Sequence, residues 1–239
     1  MIEGLYKIFD HWHCRGTVWI YSDPHFGDKE HECLVPNRVS DEEQIKRINS
    51  KVGKNDALII LGDIGDIECV RRLRGYKILI AGNHDMGLSN YKRDKEYYTF
   101  DKAGFTKDEA VNHVKLAHPG WQCKAVGNED YWCVIADNRL FDEVYGGPLM
   151  ISEKLILSHE PVDVPWAFNI HGHAHGASVN DDHHLNLCAE KLDYTPVNLN
   201  RLFKNGLCAN VTSIHRDTID KATARKHKRG GKKFGRKAN

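Results

Sequence analysis

Residues 57–85, ALIILGDIGDIECVRRLRGYKILIAGNHD, constrain the fold of this chain more than any other stretch. The apolar run 57–61 is short and bounded by turn residues, the pattern of a strand buried on both faces. It delivers Gly62-Asp63 at its carboxyl end. A helix is expected over roughly 67–74, with Asp66 at its N-cap and Gly75 just beyond it. A second apolar run, 77–81, delivers Gly82-Asn83-His84-Asp85 at its own carboxyl end. Two parallel strands joined by a helix thus bring Asp, Asn and His to one edge of an open sheet. That is the edge where α/β proteins bind ligands.

The same device recurs along the chain. Residues 17–21 (TVWIY) read as a strand and run into Ser22-Asp23-Pro24-His25-Phe26-Gly27-Asp28. Ser40 and Glu43 have capping-box spacing ahead of a helix with apolar positions Ile45, Ile48 and Val52, ended by Gly53. Residues 86–140 are expected to be a variable excursion. Within it Thr106 and Glu109 cap a helix, 131–136 (YWCVIA) form a strand, and the intervening segment is polar and irregular. Two short strands, 149–151 and 154–157, form a hairpin whose second arm leads to Ser158-His159. A strand near 167–170 leads to His171-Gly172-His173-Ala174-His175. HLNLC (184–188) and TPVNL (195–199) read as strands, and Asn198 or Asn200 caps a last helix to Lys204.

Gathered at strand ends are Asp23, His25, Asp63, Asn83, His84, His159, His173 and His175. Seven of them suit, in number and type, two transition metals sharing one carboxylate. A lone D-x-H or a lone histidine carries little; five loops, each placed after a strand, carry much more. His183-His184 reads as a surface turn, and His171 stands outside the pattern. His11-Trp12-His13-Cys14 has no second ligand pair to complete a zinc site.

The order D-x-H, G-D, G-N-H-D, a single His, then G-H-x-H resembles the calcineurin-like metallophosphoesterases over about residues 17–205. LILSHEPV and DYTPVNL resemble their small stand-alone bacterial and phage members. The resemblance implies an α/β fold, a four-layer α/β/β/α sandwich. It also implies that one metal takes Asp23, His25, Asp63 and His175. The other takes Asp63, Asn83, His159 and His173, with Asp63 shared and a hydroxide bridging the ions as nucleophile. Two such cations activate water and clamp the phosphoryl oxygens of an in-line displacement. Mixed N/O ligation suits Mn, Fe, Zn or Ni, with Mn preferred. His84 is then the residue facing substrate, a general acid or charge stabiliser whose ring Asp85 orients.

Departures narrow the substrate. Asp28 stands where some small relatives carry a further His. Asn37 and Arg38 resemble an Asn-Arg element of those relatives, where Arg38 can clamp a phosphate; all three are candidate substrate contacts. The loop GDIGDIE lacks the Arg of the Ser/Thr protein phosphatases, and GNHD ends in Asp where they have Glu, which argues against phosphoproteins. The expected activity is hydrolysis of a nucleotide or nucleic-acid phosphodiester. The alternatives are a phosphomonoesterase, a non-catalytic scaffold of the same fold, or a nucleic-acid-binding protein.

Composition adds two points. Seven cysteines with no C-x-x-C pair favour a reducing, cytoplasmic setting, and neither a signal peptide nor a membrane span is legible. Net charge of +1 conceals a basic tail: 221–239 hold nine Lys or Arg and no acid, while the rest of the chain carries 25 basic and 33 acidic residues. The expected organisation is one metallophosphoesterase domain over 1–216 and a basic, disordered tail over 217–239, either a solubilising extension or an arm that docks on nucleic acid.

Overall fold

The computed structural model describes residues 4–13, 16–30, 35, 37–85, 95–177, 180–213, 219, 221, 223 and 224. Two compact units emerge. One comprises 1–85 and 145–239, the other 86–144.

In the first unit a short 3-10 turn (Lys7–Phe9) and the helix Asp10–His13 precede β1 (Val18–Tyr21). Trp12 is fully buried there, its ring 4.7 Å from Phe9. The helix Asp41–Lys51 starts at Ser40, whose hydroxyl accepts the Glu43 amide. Then come β2 (Ala57–Ile60) and β3 (Tyr76–Ile80), both parallel to their neighbours in the order β1-β2-β3. All four residues of β2 are buried, as a strand covered on both faces requires. The connection between β2 and β3 is a 3-10 helix, Ile67–Arg72, rather than the longer α-helix expected. Asp66 caps it by accepting the Glu68 amide.

The second unit contains β4 (Lys95–Asp101), the helix Lys107–Ala117, β5 (Gln122–Gly127) and β6 (Tyr131–Asp137), with the antiparallel order β4-β6-β5. The capping box is complete: Thr106 accepts the Glu109 amide, and Glu109 accepts the Thr106 amide. Ala110 and Val114 pack on Ala125, Val134 and Ala136. The irregular segment expected before β6 is corrected here, because β4 and β5 are regular strands. In β4 exposure alternates strictly along KEYYTFD, and only one face packs on the helix. Its outward face is polar enough to hide the period.

Strands β7 (Glu143–Tyr145), β8 (Leu149–Ser152), β9 (Leu155–Leu157), β10 (Phe168–His171), β11 (His184–Asn186) and β12 (Val197–Asn198) complete the chain's sheets. Two further sheets run β12-β1-β2-β3-β7 and β11-β10-β9-β8. Val18 and Ile20, Ala57 and Ile59, Ile78 and Ile80 from one sheet share a core with Leu155, Leu157 and Ile170 from the other. These i, i+2 pairs put the two sheets face to face. Asn198 caps the helix Leu199–Lys204 by accepting the Arg201 amide. The chain is thus mixed α/β. Of the basic tail only 219, 221, 223 and 224 are described, and they are helical; the remainder of that expectation lies outside the described residues, as does Cys14 of the HWHC cluster. Among the described residues no helix is long and apolar enough to cross a membrane.

Candidate metal centre

The carboxyl ends of β1, β2, β3, β9 and β10 open onto one place. The loop after β1 runs beside the loop after β2: the Asp23 amide donates to Gly62 O (3.3 Å), His25 to Asp63 O (3.0 Å) and Phe26 to Ile64 O (2.9 Å). Gly62, at φ +80°, lets this happen; a Cβ there would meet the Gly82 nitrogen at 2.5 Å and His159 Nδ1 at 2.8 Å. Asp23, His25, Asp63, His173 and His175 all take left-handed backbone angles. Each costs a non-glycine residue about 1–3 kcal/mol, and such strain concentrates at functional sites.

Two groups of side chains form. In the first, Asp23 Oδ1 lies 4.0 Å from His25 Nε2 and 3.9 Å from His175 Nε2. In the second, His159 Nε2 lies 3.3 Å from Asp63 Oδ2, 2.7 Å from Asn83 Oδ1 and 3.2 Å from His173 Nδ1. Asp63 Oδ2 is also 3.6 Å from His25 Nε2, so one carboxylate oxygen faces a histidine of each group.

The opposite ring nitrogens explain which lone pairs point inward. His159 Nδ1–H donates to Leu61 O (2.8 Å), His25 Nδ1–H to Asp28 (3.1 Å) and His175 Nδ1–H to Glu190 (2.9 Å). When neutral, each ring aims its Nε2 lone pair at carboxylate or carbonyl oxygens, which are themselves acceptors. Asp23 and Asp63 are each 1% exposed, and among the described residues their ion pairs are with histidines alone. Buried acceptors facing lone pairs need a positive charge between them. The electrostatics agree. Burial opposes a charge on His159, yet Asp63 and Asp23 push its pKa up to about 9. Burial likewise opposes ionisation of Asp63, but His159 and the His84 amide hold it below the ordinary carboxylate value. The donor set therefore fits divalent transition cations, with N and O ligands mixed.

The family model of the calcineurin-like phosphoesterases matches residues 16–197. The chain belongs to that family. It is a metal-dependent phosphoesterase by family, and both side-chain groups lie inside the matched region. A solved protein of unknown function, AQ665 from Aquifex aeolicus, is 19% identical over 79% of this chain and 98% of its own, with a TM-score of 0.49. No curated protein matches.

The remaining candidate residues of this phosphoesterase divide sharply. His84 is exposed; its amide donates to Asp63 Oδ1 (3.0 Å), and its ring stands 5.9 Å from that of His25. The buried Asp85 carboxylate accepts the amides of Asp63 (2.9 Å), Ile64 (3.0 Å) and Gly82 (2.7 Å), tying the β2 and β3 loops together. Asp28 is the carboxylate that holds His25. The Arg38 side chain is 3% exposed, and its guanidinium donates to His25 O (2.6 Å), Pro24 O (3.3 Å) and Asp41 (2.8 Å), bracing the β1 loop from behind. Asn37 lies exposed in the turn before it.

Among the other histidines, His184 bonds Asp181 (2.9 Å), while His171 is fully buried with Nδ1 2.8 Å from Gly172 O. Two residues had no sequence signal. Glu190 orients His175, and the buried Cys188 thiol donates to Asp23 Oδ2 (3.2 Å) and accepts the His175 amide (3.2 Å). Burial, with the charges of Asp23 and Glu190, raises the Cys188 pKa and keeps the thiol neutral. An acid two residues past a cysteine belongs to no spacing rule; only the chain's path from β11 brings both under His175.

Proposed function

We propose that this chain is a dinuclear, metal-dependent phosphodiesterase acting on a nucleotide or nucleic-acid bond. The observation that carries the dinuclear reading is Asp63 Oδ2, 3.6 Å from His25 Nε2 and 3.3 Å from His159 Nε2. Asp23, His25 and His175 would hold one cation, Asn83, His159 and His173 the other, and Asp63 both. Bound there, two divalent cations, Mn by preference, supply Lewis-acid activation of water and of the phosphoryl oxygens. Neutral Asn83 contributes a carbonyl oxygen without charge, leaving the site attractive to an anionic ester. His84, exposed at the front of the site, supplies a proton to the leaving oxygen. Its amide bond to Asp63 Oδ1 fixes its backbone beside the shared carboxylate.

The diester preference is supported by the resemblance to small stand-alone members and by the basic tail, 221–239, which would bring nucleic acid to the site. Free thiols at Cys69, Cys123, Cys133, Cys188 and Cys208 support a reducing, cytoplasmic setting. The test is metal analysis of the purified chain, then hydrolysis of bis(p-nitrophenyl) phosphate and p-nitrophenyl phosphate with Mn present. Two metals per chain and faster diester turnover support the proposal. Faster monoester turnover makes it a phosphomonoesterase, and no metal with no turnover makes it a scaffold.

A further inference from the structure

Beside Asn83 and His159 a cavity of about 250 Å³ opens, walled by Gly147 and Pro148 on one side and by Glu160 and Pro161 on the other. It lies under the ~300 Å³ floor for drug-sized ligands, so it takes one small ring and not a length of nucleic acid. The Glu160 wall is preformed. Asn169, 1% exposed, donates to Ser158 Oγ (2.8 Å) and accepts the Val162 amide (2.8 Å), while Ser158 Oγ donates to Glu160 O (2.6 Å).

The chemistry of the lining selects an occupant. Among the described residues no Lys or Arg lines the cavity, and apart from His159 its one ionisable lining residue is the exposed Glu160, whose carboxylate makes no hydrogen bond to a described residue. A second phosphate placed there, beyond the one held at the metal ligands, would face the like charge of Glu160 with no Lys or Arg of the described lining to offset it. A hydroxylated sugar suits the place better. Its hydroxyls donate to a carboxylate, an interaction stronger than a neutral hydrogen bond, and its apolar ring face packs on proline.

We infer that this cavity is the subsite for the ribose of the scissile phosphoester, read through its hydroxyls by Glu160. The inference rests on the phosphoesterase reading of the adjoining side chains, and it places the sugar on the Asn83–His159 side.

The test compares the Mn-loaded wild type with Glu160→Gln and Glu160→Ala on two diesters, uridine 5′-(p-nitrophenyl) phosphate and the sugar-free bis(p-nitrophenyl) phosphate. The expected result is a roughly tenfold fall in the ratio of their kcat/KM values, expressed through KM for the uridine ester. A disturbance of neighbouring His159 lowers both rates and leaves the ratio intact, so a ratio within twofold of wild type overturns the inference. Equilibrium titration with uridine 5′-monophosphate reads the cavity without turnover. Weaker binding to both variants supports the subsite, and equal binding to all three proteins overturns it. A wild type that binds the nucleotide with that difference yet hydrolyses neither ester would sink the phosphoesterase reading alone.

Discussion

His84 and Glu190 act on the site from opposite sides, one facing substrate and one behind a ligand. His84 contributes no side-chain atom to either group, and its amide bond to Asp63 survives any side-chain change. His84→Asn is therefore expected to retain both metals and lose roughly 10²–10⁴-fold in kcat, the usual contribution of a general acid. An unchanged rate with full metal content would remove it from the mechanism. Glu190 holds the His175 Nδ1 proton at 2.9 Å and raises the pKa of that ring. Glu190→Gln keeps an acceptor but removes the charge, and is expected to weaken one of two metal sites about 10–100-fold. Calorimetric titration with Mn should resolve the loss as one weakened site, with circular dichroism unchanged. Two equally weakened sites, or none, would contradict the arrangement.

At the scale of elements, the site depends on loops that lie closer than side chains ordinarily permit. The β10 loop passes the β1 loop at Gly172, where a Cβ would overlap the Ser22 hydroxyl and the Asp23 carboxylate. His173 then donates its amide to Asp23 (3.0 and 3.1 Å), so the loops are fastened as well as adjacent. Gly172→Ala is expected to cost about 1–3 kcal/mol in stability through overpacking and to reduce metal content. Denaturant unfolding and metal analysis measure the two effects, and a variant of native stability and metal content would show that the loops can part without harm. Asp85 does the same work between β2 and β3 through three backbone amides. The acid after G-N-H is thus buried among backbone amides.

At the scale of the whole molecule, the charge of the site and of the tail dominate. In the metal-free protein His159 is raised from 6.5 to about 9, against burial, by Asp63 and Asp23. That contribution to stability is fully present below pH 6.5 and is lost as pH rises through about 9. Asp63, held below its ordinary 3.8, contributes above that value and loses the contribution on acidification. The melting temperature of the chelated protein is therefore expected to fall between about pH 6.5 and 9. Mn should offset this fall, by about 2.7 kcal/mol at a hundred times Kd; a flat profile without metal would contradict it. The tail's nine positive charges set a second expectation. Removal of 221–239 should weaken binding of single-stranded nucleic acid and flatten its salt dependence, as counterion release requires. Binding that survives the deletion unchanged would exclude the tail as a docking arm.

Strand positions and the polar residues at their ends were legible in the sequence, because buried parallel strands leave short apolar runs and the sharp turns at their ends expose polar side chains. Asp23, Asp63 and His159 could be singled out only as members of the joint set at five strand ends, and the family's order of motifs is a property of the sequence. Three things were not legible. The strands of 95–127 were hidden because only one of their faces is buried. The helix expected at 67–74 is a 3-10 helix over Ile67–Arg72, a difference of hydrogen-bond pattern that the apolar spacing does not record. And the residues behind the site, Arg38, Asp28, Asp85, Cys188 and Glu190, took their roles from the fold. Local chemistry marks a charged side chain as available, but only the tertiary path decides whether it meets substrate, a backbone amide or the far nitrogen of a histidine.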